Sequence, residues 1–205
     1  MRKLILSLVA LSVAAVASAQ ILVPNGDFES GNTGWVEATG GDTPVVFAYE
    51  TTGGSGDNGG YASMDATGGQ WGVLVNPPEA GAAGGGIDIA TVGVTAGATN
   101  TFTIDLKTFS GTAGGGMKVE AWAGNAILGN SGDINAPGAF ADWTTFTFDW
   151  AVPAGTEKMI FVPLWGANSL VGYDNVGVVP EPSTFALLGG LAALGVVMYR
   201  RRKQA

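Results

Sequence analysis

The chain has 205 residues, with nine Lys and Arg against seventeen Asp and Glu, no histidine and no cysteine. That inventory excludes disulfide staples, thiol catalysis, Cys- or His-ligated metals, imidazole acid–base chemistry and any Ser-His-Asp triad. Residues 20–179 carry three lysines (Lys107, Lys118 and Lys158), no arginine and sixteen acids. Their formal charge of −13 repels phosphate backbones and leaves no basic patch, which rules against nucleic acid as a partner.

The first element is a leader. Arg2 and Lys3 precede an apolar run from Leu4 to Val16, which is too short to span a bilayer comfortably. Ala17-Ser18-Ala19 forms a small-x-small site, so cleavage by signal peptidase leaves Gln20 as the first residue of an exported chain. An uncleaved anchor is the alternative. Without cysteine the exported fold must be held by its core, and the roughly 160 residues that remain are enough for one domain.

Strand signals follow one another through residues 20–179. Candidates lie at 44–49, 71–76 and 86–92. In 101–107 Phe102, Ile104 and Leu106 alternate with polar residues and share one face. The same period recurs at 117–122, where Trp122 shares a face with Lys118 and Glu120, and at 145–150. Residues 158–164 form a more continuous apolar run, read as a strand buried on both sides or as a sheet edge near Pro163. A last strand is expected at 171–178. Gly-rich turns at 52–60, 80–86, 111–116 and 129–138 separate them. Many short strands with such breaks predict an all-β domain, a single antiparallel β-sandwich of jelly-roll type.

The tail has three parts. Val179-Pro180-Glu181-Pro182 cannot be helical and forms an extended, accessible segment. Residues 183–199 hold no charge, and as a helix cover roughly 25 Å, just short of a typical hydrocarbon core, and are read as a transmembrane span. Arg200, Arg201, Arg202 and Lys203 then hold the C-terminus in the cytoplasm. An ordinary anchor with a proline hinge is the alternative.

This order and spacing resemble the PEP-CTERM sorting signal of exopolysaccharide-producing Gram-negative bacteria. The resemblance covers residues 179–205 and implies recognition by an exosortase, a membrane-embedded enzyme that removes the tail. It places the protein at the inner membrane facing the periplasm before processing, and at the cell surface or in the extracellular matrix afterwards.

The body carries a second resemblance. The opening Asn25-Gly26-Asp27-Phe28-Glu29-Ser30-Gly31-Asn32-Thr33-Gly34-Trp35, the turn into a strand from Val94 to Phe102 and the closing Tyr173-Asp174-Asn175-Val176 resemble galactose-binding-like jelly rolls, including carbohydrate-binding modules. That resemblance implies a structural Ca²⁺ joining first and last strands, with Glu29 and Asp174 at the matching positions and Asp27 as a further ligand. Hard Ca²⁺ takes six to eight oxygens, mixing carboxylates with carbonyls. Alternatively, Asp27 only caps its turn and Glu29 is solvated.

Six tryptophans are present. Sugar binding needs an exposed aromatic face beside polar acceptors. Trp122 and Trp143 adjoin polar loops and are the candidates, with packing as the alternative; Trp35 and Trp150 read as core. A carboxylate pair such as Glu120 with Asp149 would suit a glycosidase, but nothing selects it among sixteen acids. The sequence therefore reads as a non-enzymatic, exported surface or matrix protein of the exopolysaccharide layer. A carbohydrate-binding module is the alternative, and a glycosidase a third.

Overall fold

The computed structural model describes residues 20–40, 44–57, 59–68, 71–76 and 86–179. The chain divides into two units, residues 21–178 and residues 1–20 with 179–205. Of the second unit only Gln20 and Val179 are described. Ala17, Ala19, Pro180, Glu181, Pro182, the expected span 183–199 and the basic run from Arg200 to Lys203 lie outside the described residues. Among the described residues no helix is long and apolar enough to cross a membrane.

Residues 21–178 build two antiparallel sheets, with the last strand ending one residue beyond. The strands are β1 (Ile21–Leu22), β2 (Val36–Gly40), β3 (Val46–Glu50), β4 (Tyr61–Asp65), β5 (Trp71–Val75), β6 (Ile87–Asp88), β7 (Thr99–Ser110), β8 (Gly116–Ala123), β9 (Ala126–Asn130), β10 (Ile134–Asn135), β11 (Thr144–Ala151), β12 (Lys158–Leu164) and β13 (Leu170–Val179). The first sheet runs β11-β7-β13-β4-β3, with β1 also on β13. The second runs β10-β8-β12-β5-β2, with β6 on β12 and β9 on β8.

Alternation fills the space between the sheets. Phe102, Ile104 and Leu106 of β7 meet Met117, Val119 and Ala121 of β8 and Met159 and Phe161 of β12 in one core. From β13, Val171 and Tyr173 enter the same core, and so do Val176 and Val178. The period breaks between them because Asn175 takes a left-handed conformation, with φ 48°. An extra residue there re-aims the strand, as in a bulge. Tyr173 crosses the core and its hydroxyl donates to the Leu164 carbonyl of β12 at 2.7 Å, joining the sheets. Trp35 is buried in this core, and Trp150 packs against it, partly buried.

The expected strand at 86–92 is only half a strand. β6 stops at Asp88, and α1 (Ile89–Val92), one helical turn, closes on Gly93 with φ 68°. The expected turn at 129–138 contains β10 and the end of β9. β12 is a central strand, buried along most of its length, so Pro163 does not mark a sheet edge. It marks a missing rung instead. Phe161 N–H donates to the Asn76 carbonyl at 2.9 Å and Trp165 N–H to Gly72 at 3.1 Å. Pro163, between them on the β5 side, has no N–H to give.

Candidate functional site

The outer face of the second sheet carries a groove. Three neighbouring strands supply its lining: β5 and β12 turn apolar residues outward where a solvated face would be polar, and β8 adds charged ones. β12 presents Ile160, Val162 and Leu164, which form an apolar cluster separate from the core, and Val73 and Val75 of β5 pack against them. β8 presents Lys118, Glu120 and Trp122 on the same side, paired with Val162, Ile160 and Lys158. The groove measures about 300 Å³. Trp71 and Trp165 line it together with these aliphatic residues, Lys118, Glu120 and Asp133.

Its polar groups are held in place. Lys118 Nζ lies 2.8 Å from Glu120 Oε1, and the Trp122 indole N–H donates to Glu120 Oε2 at 3.3 Å. Both carboxylate oxygens are therefore engaged from fixed directions. Trp71 is 45% exposed, a high value for so large an apolar side chain. Its ring lies against Gly40 of β2, where any Cβ would collide with it. The glycine supports one side of the ring without covering the other. Such a surface offers apolar walls for the C–H faces of a sugar, an indole for stacking, and a carboxylate and an ammonium for hydroxyls.

The structure separates the two expected sugar-binding tryptophans. Trp122 stands beside the groove, packed against its apolar cluster. Trp143 lies on the outer face of the first sheet, with Tyr61 at 5.4 Å and Phe109 at 6.4 Å between ring centroids. Its indole N–H donates to the Gly53 carbonyl at 2.9 Å. Phe109 is flanked by Tyr61 at 5.5 Å, and the Lys107 ammonium sits 5.3 Å from its centroid. These rings contact one another, and Phe109 is 40% exposed. Glu120 and Asp149 are not brought together: β8 and β11 belong to different sheets, and Asp149 accepts from the Thr101 hydroxyl at 2.6 Å.

The expected cation ligands have separate partners. Asp27 Oδ1 accepts from Glu29 N–H at 3.4 Å, a turn contact. Glu29 Oε1 accepts from Gly60 N–H at 3.0 Å. Asp174 is 2% exposed and accepts from Ser55 N–H and Asn175 N–H, both at 2.7 Å. Glu29 and Asp174 thus grip the two ends of one loop, which Gly54 N–H closes onto the Gly59 carbonyl at 3.1 Å. Burial pushes the Asp174 carboxyl up to about 7; the two N–H donors oppose the shift, and the charges of Asp105 and Asp27 add to it. Among the described residues no three Asp, Glu, His or Cys side chains are grouped to hold a metal.

Trp71 and Trp165 escape a reading of the sequence alone. Trp71 opens the run WGVLV, whose two phases are both apolar, so the outward phase is not visible. Trp165 follows β12 directly and looks like a continuation of its apolar run.

Among the described residues, two antiparallel sheets with almost no helix define a jelly-roll sandwich, with a groove on one outer face. Among solved structures it is similar to the enzymatically active domain of tailspike protein 4 of bacteriophage CBA120, at TM-score 0.57 and 15% identity, covering 78% of this chain and 22% of that one. The chain thus spans about a fifth of that domain. It is also similar to the C-terminal family 22 carbohydrate-binding module of Clostridium thermocellum Xyn10B, at TM-score 0.51 and 13% identity, covering 80% and 92%. A third is the CBM22-1 xylan-binding domain of Paenibacillus barcinonensis Xyn10C, at TM-score 0.50 and 16% identity, covering 82% and 99%. At these identities the likeness establishes the fold. The PEP-CTERM protein-sorting motif matches residues 178–203, so the tail is a sorting signal. No curated protein matches the sequence.

Proposed function

We propose that this chain is an exported, non-catalytic surface protein that binds polysaccharide in the groove of its second sheet. The observation that carries the reading is the pairing of an open indole, Trp71, with the fixed Lys118–Glu120–Trp122 group across an apolar floor. The likeness to carbohydrate-binding modules supports it, because in one of them the sugar polymer bound is xylan. The sorting motif adds the setting: an exosortase processes the chain near Pro180-Glu181-Pro182, and the body then resides at the cell surface or in an exopolysaccharide or biofilm matrix.

The same reading carries a structural Ca²⁺ near Glu29 and Asp174. Its support is the buried carboxylate of Asp174 and the convergence of both acids on one loop, a charge arrangement that a cation would relieve.

The test uses the full-length protein in mild detergent on immobilised polysaccharides: xylan, cellulose, β-glucan and the producer's own exopolysaccharide. Saturable retention is expected on at least one. Trp71→Ala should weaken it by about tenfold or more, in the range of aromatic anchors, with little change in stability. Unchanged retention by that variant removes the groove from the account.

A further inference from the structure

We infer that the groove continues past Trp165 into a second compartment that takes one further sugar ring. This rests on the reading of the groove as a glycan site. A cavity of about 210 Å³ opens beside Gly114, Gly115 and Gly166, and it shares Trp165 and Asp133 with the groove. It falls below the ~300–1,000 Å³ of sites that hold a drug-sized ligand by themselves. It therefore serves as an extension of the groove.

Its shape is imposed from beneath. Gly115 has φ 72°, and a Cβ there would stand 2.7 Å from the Tyr173 hydroxyl oxygen. A Cβ on Gly166 would stand 2.7 Å from Val171 Cγ2, and one on Gly114 would strike the Gly138 carbonyl. Side chains larger than hydrogen would collide with these neighbours, so backbone forms the floor at these three positions. Ala136 N–H donates to the Gly115 carbonyl at 2.9 Å and ties the far wall to that floor. Asp133 and Asn135 are exposed on the rim and supply an acceptor set and an amide for hydroxyls. A low backbone floor, an indole wall and two polar side chains suit a single pyranose. That ring is either the next unit of a chain lying in the groove or a one-sugar branch on it.

The experiment plugs the compartment from its exposed lip with Ala167→Trp, a position outside the groove itself. The full-length protein and the variant are titrated with short and long linear β-1,4-xylo- and cello-oligosaccharides and with a xyloglucan oligosaccharide bearing single-sugar branches. The variant should lose about tenfold in affinity for the larger ligands and keep its affinity for the shortest ligand the parent binds. Loss confined to long linear ligands identifies the next chain unit, and loss confined to the branched one identifies a branch. Asn135→Ala, a milder change, should shift the same ligands in the same direction. Equal affinities for all ligands in parent and variant, or an equal loss on short and long ones, overturn the second compartment but leave the groove reading standing. If Trp71→Ala weakens none of the ligands, the groove reading fails, and this inference with it.

Discussion

Asp174 is an acid placed where water cannot reach it. Its carboxyl is pushed from 3.8 up to about 7, first by burial, with Asp105 and Asp27 adding repulsion. The folded state therefore holds its proton more tightly than the unfolded chain does. The stability that this group contributes is complete below about 3.8 and is lost as the pH rises through about 7. In chelator, the free energy of unfolding should therefore fall between pH 5 and pH 8, and Asp174→Asn should flatten that slope. Denaturant titrations across this range check it; a flat profile in the parent contradicts the placement of Asp174. If Ca²⁺ binds beside Asp174 and Glu29, adding it at pH 8 should recover the loss in the parent and not in the variant. Failure to recover removes the ion and leaves the acid as an anchor that holds the loop through Ser55 N–H.

At the scale of elements, Tyr173 shows how the sandwich and the groove are one construction. It belongs to β13 of the first sheet, yet its hydroxyl bonds the last residue of β12 in the second. Tyr173→Phe should cost about 1–3 kcal/mol by leaving a buried carbonyl short of its donor, seen as a lower denaturant midpoint with unchanged slope. An unchanged midpoint would show that the sheets are held without it. Much of this layer was legible in the sequence. Alternation in β7, β8 and β11 depends only on period, so the faces of Phe102, Ile104 and Leu106 and of Lys118, Glu120 and Trp122 were readable. β2, β4 and β9 carry no such signal, because short segments such as VEATG and YASMD hold small residues in both phases. The proposed groove draws on residues of both kinds. Trp122 and Glu120 stood out, but Trp71 and Trp165 depend on which strands become neighbours, a long-range fact with no local signal. For the same reason, Trp122 and Trp143 looked alike and lie on different sheets.

At the scale of the molecule, an acidic body with three lysines, one of them bound to Glu120 in the groove, presents little to attract an anionic polymer. Neutral glycans are therefore the ligands expected to bind best. The sorting motif begins at residue 178, where β13 is still paired with β1 through Ile21 and Val178. Replacing Pro180-Glu181-Pro182 with Ala-Ala-Ala should leave full-length protein in the inner-membrane fraction and lower the surface or released form. Membrane fractionation followed by mass determination reads the outcome, and unchanged processing would set the exosortase reading aside.

Sugar is expected to meet one face of the sandwich and not the other. Oxidative footprinting of the full-length protein, read by mass spectrometry with and without bound polysaccharide, tests it directly. The groove account predicts that ligand protects Trp71 and Trp165 from oxidation and leaves Trp143 and Phe109 as reactive as before. Protection of Trp143 and Phe109 with Trp71 unprotected would contradict it and move the site to the first sheet.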